Sequence, residues 1–207
     1  MIAVDGCRSE FPESPLAASS SAPVAEDPPF SNIDPGPIRS MLEDAAHQTK
    51  VTLNYTQDYF EIKYPNGDVP IETGACTDVI IRSFRAAGVD LQKEVHEDMS
   101  SNFSMYPTKW GLSKPDTNID HRRVPNLQTF FARKGKSLPV SAKAADYKPG
   151  DVVTWDLDGK GMTHIGIVSN TKNKRTGRRL IIHNIGAGTK AEDRLFDWKV
   201  TGHFRYF

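Results

Sequence analysis

Three residues far apart in the chain have the types that nucleophilic catalysis needs: Cys76, His164 and His183. A thiol attacks as its thiolate, and the start of a helix favours that anion through free N–H groups and the positive end of the dipole. Thr73-Gly74-Ala75-Cys76 opens such a segment: Cys76, Ile80, Phe84 and Ala87 recur on one helical face, and Gly88 stops it. An imidazole must then take the thiol proton, and a third group must orient that imidazole. His164 stands near the start of Thr163-His164-Ile165-Gly166-Ile167-Val168, and His183 near the end of Leu180-Ile181-Ile182-His183-Asn184; both runs have strand composition. A hairpin centred on Asn173 and Lys174 sets His164 directly opposite His183, their Cβ atoms about 5 Å apart, on a sheet against which the cysteine helix can pack. This reading needs sulfur and imidazole to meet on one side of that sheet. Asn184, on the opposite face from His183, is the weaker substitute for the third member. A cysteine alone is as often a small buried hydrophobe, so Cys76 draws its weight from the two histidines.

A second polar group, Asp120-His121-Arg122-Arg123, lies between apolar stretches. The plain reading is a salt-bridged loop; the functional one is that Arg122 or Arg123 grips a substrate carboxylate with its guanidinium fork. Asp78 stands four residues before Arg82 on one helix face, which suits a mutual pair. Asp78, Asp120, His121, Arg122, Arg123 and Asn184 are the candidate substrate contacts. Cys76, His164, His183 and His121 together could hold zinc, but no H-x-x-x-H spacing or accompanying carboxylate supports a metal, and none is expected. His47, His96 and His203 show no partner pattern and read as structural, and Tyr55 and Tyr59 are candidates for the cleft border.

The elements that must position these groups follow from the periodicities. Pro37 to Lys50 reads as a helix with Ile38, Met41, Leu42 and Ala45 inside. Val51 to Tyr64 is β-rich and closes at the turn Pro65-Asn66-Gly67-Asp68. After the cysteine helix, a helix runs from Asp90 to Phe103, and a short one from Pro125 to Lys134 ends at Gly135. Pro149-Gly150-Asp151 turns the chain into strands at 152–155, 163–169, 179–184 and 202–207. Helices first and a meandering antiparallel sheet afterwards make an α+β domain.

With 26 basic and 26 acidic residues in 207, the chain has no net charge, which argues against nucleic acid or an anionic membrane as partner. No apolar run approaches the roughly 20 residues of a membrane span. Residues 1–34, rich in Ser, Pro and Ala, read as a disordered tail or linker, and 35–207 as one domain. Cys7 and Cys76 read as free thiols. Val4-Asp5-Gly6-Cys7 is a poor lipid-attachment box, better read as a tail or the stub of an export leader.

The order of motifs (Cys at a helix start, His-Ile-Gly-Ile-Val on one strand, Ile-His on the next, Pro-Gly-Asp-Val-Val before them) resembles the NlpC-type papain-like cysteine peptidases. More narrowly, Gly74-Ala75-Cys76-Thr77-Asp78-Val79-Ile80-Ile81-Arg82, Ile119-Asp120-His121-Arg122-Arg123-Val124-Pro125-Asn126-Leu127 and Ile182-His183-Asn184-Ile185-Gly186 resemble a bacterial YijF-like family. The resemblance implies a papain-like fold, N-terminal helices packed on a C-terminal antiparallel sheet. It also implies a periplasmic or secreted amidase or endopeptidase acting without a cofactor, as a monomer, on peptidoglycan stem peptides. In that reading Cys76 attacks, His164 shuttles the proton, and His183 holds the His164 ring. Ala75 and Thr77 flank the cysteine where NlpC-type enzymes usually carry Asp and Ser, a departure at the neighbouring subsites. The competing classes are a zinc hydrolase and a non-catalytic cell-wall binding module; acyl transfer and a toxin role use the same thiol chemistry.

Overall fold

A computed structural model describes residues 30–207; Cys7 and nearly all of the expected tail lie outside them. Four helices precede most of the strands: α1 (Pro37–Val51), α2 (Cys76–Ala86), α3 (Leu91–Asn102) and α4 (Val124–Arg133). Between α1 and α2 the β-rich stretch forms only one short strand, β1 (Asn54–Tyr55), which pairs in parallel with β2 (Thr73–Gly74) beyond the turn. β-branched and aromatic content alone did not make a longer strand there, because the rest of the segment finds no sheet edge to pair with.

Six further strands, β3 (Ser137–Leu138), β4 (Val152–Asp156), β5 (Thr163–Lys172), β6 (Arg179–Asn184), β7 (Thr189–Glu192) and β8 (Lys199–Phe204), form one sheet in the order β3-β8-β4-β5-β6-β7. All its pairings are antiparallel. The architecture is therefore α+β, as the order of periodicities implies. β7 and β3 were not foreseen, being short and polar, and β8 begins three residues before the expected Gly202. Among the described residues, no helix is long and apolar enough to cross a membrane.

Each sheet face buries its own core. Val152, Ile165, Ile167 and Ile182 join Met41, Leu42, Ile80, Phe84, Leu127 and Phe131 beneath the helices. On the other face Val153, Trp155, Val168 and Ile181 pack with Tyr147 and Leu195 from the flanking loops. The Pro-Gly-Asp turn is anchored here. Asp151 accepts hydrogen bonds from Arg205 at 2.7 Å and faces His203 Nε2 at 2.7 Å, while Tyr147 stacks on the His203 ring. His203 thus has a partner that its sequence surroundings did not reveal.

Candidate functional site

Cys76 is the first residue of α2 and is buried. The N-cap, Ala75, has no side-chain oxygen to offer the free N–H groups of the first turn. Instead Asp78 reaches back, its Oδ2 accepting the Ala75 N–H at 2.6 Å, one half of a capping box. That carboxylate is itself clamped: Arg122 donates from Nε to Oδ1 at 2.9 Å and from NH2 to Oδ2 at 3.0 Å, a buried bidentate pair. The third Arg122 donor goes to the Asp58 carbonyl at 2.8 Å, and Thr77 Oγ1 donates to the Arg122 carbonyl. From the other side the Asn184 amide donates to the carbonyls of Gly74 (2.9 Å) and Asn54 (3.1 Å). The turn that begins at Cys76 is thus held from two sides, by the Asp78–Arg122 pair and by Asn184.

Several expectations change accordingly. Arg122 and Asp78 bind each other rather than a substrate carboxylate. Arg82 pairs with Asp68 and with the carbonyls of Val69, Pro70 and Thr73 instead of Asp78. Asn184 is used up in holding the strand before Cys76. Asp120 is buried, accepting the Asp116 N–H and pairing with Arg123 at 3.3 Å; burial holds its carboxyl above the usual range. His121 is buried too. Arg123 is half-buried and lies 4.2 Å over the Trp110 ring. The Asp120–Arg123 group is therefore largely a structural knot, the plainer of its two readings.

The two histidines do come together. His164 Nε2 lies 2.8 Å from His183 Nδ1, with the rings edge to face. The register differs from the expected one. Ile167 pairs with Ile182, so one step further Gly166, not His164, faces His183. The shift comes from the turn: Lys172 pairs with Arg179, which centres the hairpin at 175–176 rather than 173–174, and an irregularity between Val168 and Lys172 takes back half of that displacement. The pairing remains on one face because the offset is two residues, the side-chain repeat of a strand. Gly166 makes the diagonal contact possible: a Cβ there would stand 2.6 Å from Ile181 Cγ2 and 3.2 Å from His183 Cβ.

The face is a correction to the expected arrangement: the cysteine helix packs on one side of the sheet and the two histidines project from the other. His164 is opposite Trp155, and both rings lie with Trp198 on the side away from the helices. Cys76 belongs to the helix-side core with Ile165. Its sulfur meets the sheet at the backbone of β5, where the Ile165 N–H, one residue beyond His164, points at it. The paired stretch of β5 and β6 stops with Ile167 and Ile182 at this end.

Burial sets the protonation states. It pushes the Cys76 thiol up to about 12, with the nearby Asp78 charge acting the same way, against the Ile165, Thr77 and Cys76 N–H groups that favour the thiolate. Burial, then the neighbouring His183, brings His164 down to about 3. Both groups therefore rest uncharged, a neutral thiol and a neutral imidazole, and burial opposes proton transfer between them in this resting arrangement. Tyr55, beside Gly74 in the β1–β2 pair, is close enough for a Cys76 charge to raise its hydroxyl, after burial. Glu192 was not foreseen: its Oε2 lies 3.3 Å from His183 Nε2. No signal in the sequence marked it, because it stands on the unforeseen strand β7.

Among the described residues no group of three or more His, Cys, Asp or Glu side chains is set to hold a metal. The two histidine nitrogens face each other at hydrogen-bond distance instead of converging on a common point.

Two outcomes follow for stability. Arg122→Ala leaves the buried Asp78 carboxylate uncompensated and is expected to cost about 3–5 kcal/mol in urea unfolding, whereas a substrate-binding arginine would leave stability unchanged. Both His164 and His121 have folded values near 3, held down by burial, against 6.5 when exposed. Each therefore disfavours proton uptake by the folded state. Stability is full above about pH 6.5 and falls as pH drops toward 3, by about 1.4 kcal/mol per pH unit for each histidine well inside that window. His121→Asn is expected to make the fall shallower when unfolding free energy is measured from pH 7 to pH 4; an unchanged slope contradicts this.

Comparison with known proteins places this geometry in a family. Residues 42–206 match the family described as "Domain of unknown function (DUF1287)". The chain is 53% identical over 168 residues to "Uncharacterized protein YijF" of Escherichia coli (strain K12), covering 81% of each. Among solved structures it resembles an N-acetylmuramoyl-L-alanine amidase from Bacteroides uniformis ATCC 8492 at 13% identity and a TM-score of 0.48, over 81% of this chain and 97% of that one. Matched over most of its length, the chain belongs to the DUF1287 family.

Proposed function

We propose that this protein is a cysteine hydrolase of papain-like, NlpC-type arrangement that cleaves an amide bond in peptidoglycan stem peptides, in the periplasm or outside the cell. The observation that carries it is the His164–His183 contact at 2.8 Å on a strand whose following residue, Ile165, directs its N–H at the helix-start sulfur. A histidine pair of this kind has little structural purpose in an apolar sheet: buried imidazoles are costly unless their nitrogens are satisfied. The substrate class rests on the motif resemblance.

The chemistry runs as general-base thiol attack. With Nε2 engaged by His183, Nδ1 is the His164 nitrogen left to take the Cys76 proton as sulfur bonds to the amide carbonyl carbon. The tetrahedral oxyanion would draw on the Cys76 N–H at the helix start and on the Tyr55 hydroxyl at the rim. As the C–N bond breaks, His164 returns its proton to the leaving amine, giving a thioester. Water, deprotonated by the same nitrogen, then hydrolyses the thioester and restores the thiol. Trp155 and Trp198 beside the histidines limit water around the ring that carries the transient charge.

The test is digestion of purified sacculi or muropeptides with product masses read by mass spectrometry. Wild-type protein is expected to release fragments whose masses differ by one amide hydrolysis, and Cys76→Ala to lower the rate by at least about 10³-fold while keeping the fold. Full turnover by Cys76→Ala would overturn the proposal. Binding to sacculi without any product would favour a non-catalytic wall-binding role.

A further inference from the structure

The histidine pair does not end at His183. Its outer nitrogen, Nε2, is buried and has no hydrogen bond of full geometry. The nearest acceptor is Glu192 Oε2 at 3.3 Å, on β7, the strand paired with β6. Glu192 is half-buried, and its other oxygen lies 3.7 Å from Arg194 NH2. The His183 contact comes first among the influences holding its carboxyl below the usual range, ahead of Arg194 and Lys190. A carboxylate beside an otherwise orphaned ring nitrogen fixes which nitrogen carries the proton.

We infer that Glu192 is a positioning residue that sets the tautomers of both histidines through one line of contacts, Glu192 Oε2 to His183 Nε2, and His183 Nδ1 to His164 Nε2. This inference rests on the proposed hydrolase reading. A carboxylate only accepts, so His183 carries its proton on Nε2 and presents a bare Nδ1. The contact at 2.8 Å then requires the His164 proton on Nε2. His164 Nδ1 is left bare, the form that a base for Cys76 must have. In the opposite arrangement His183 donates from Nδ1, His164 carries its proton on Nδ1, and no lone pair faces the thiol. Glu192 removes that second arrangement and faces the positive charge that reaches the pair when His164 takes a proton. Lys190 and Arg194, the cations nearest the carboxylate, hold it ionised without entering the histidine contact.

Nitrogen-15 NMR of uniformly labelled, full-length protein at pH 7.5 reads the tautomers directly and needs no substrate. Wild type is expected to show Nε2–H on both His164 and His183. Glu192→Ala is expected to shift a large share of both rings to Nδ1–H and to slow Cys76 alkylation by iodoacetamide about 10-fold or more. Glu192→Asp should restore part of the Nε2–H population. In the muropeptide assay Glu192→Ala is expected to lower kcat about 10–100-fold with KM within about twofold. Unchanged tautomers in a folded Glu192→Ala would overturn the assignment whatever the enzyme's activity. A tautomer shift in a protein that cleaves no muropeptide would uphold the assignment and refute the hydrolase reading instead.

Discussion

Everything at this site depends on how the first turn of one helix is held. A helix start has N–H groups with no partner inside the helix, and this one begins with alanine at the cap, which cannot supply the missing acceptor. Asp78 does so from inside the helix, and Arg122 neutralises it from a 3-10 turn forty-four residues later in the chain. A buried carboxylate without that arginine would be costly, and the arginine without the carboxylate equally so. Their pairing therefore fixes the helix against the 120s turn. Asn184 fixes the preceding strand against β6. Between these two restraints the Cys76 sulfur rests against the Ile165 N–H of β5.

The same restraint explains why the reactive groups rest uncharged. A thiol buried within a dry core and an imidazole walled by two tryptophans both avoid ionisation, although three backbone N–H groups favour the thiolate. In the proposed reaction the proton moves only when substrate brings polar atoms to the thiol. Orientation before that moment falls to neutral hydrogen bonds, which is why the tautomer of each histidine matters.

The sequence disclosed the helix faces, the helix start at Cys76 and the histidine strands, because each follows from local periodicity. It did not disclose the register. The turn centres two residues later than expected, and even after the irregularity in β5 beyond Val168 takes back half of this, His164 lies on a diagonal across Gly166 instead of in direct opposition; neither feature has a composition signal. Nor could it disclose which charges pair. Asp78 with Arg82 is the natural expectation at four residues' spacing, yet Arg82 is drawn to Asp68 and three loop carbonyls while Asp78 turns to Arg122. Long-range pairing overrides helical spacing wherever a loop brings a better fork. Glu192 stayed hidden for a similar reason: a polar four-residue strand is indistinguishable from loop until its neighbour is known.

The central claim is that His164 serves the Cys76 sulfur even though its ring rises from the face away from the helices. The rate of Cys76 alkylation by iodoacetamide at pH 7, compared between wild type and His164→Ala, tests it without any assumption about substrate. A drop of about 10²-fold or more on losing the imidazole is the predicted result, since the buried thiol then has no base. Equal rates in two equally folded proteins would mean that sulfur and imidazole do not communicate, and would contradict the account.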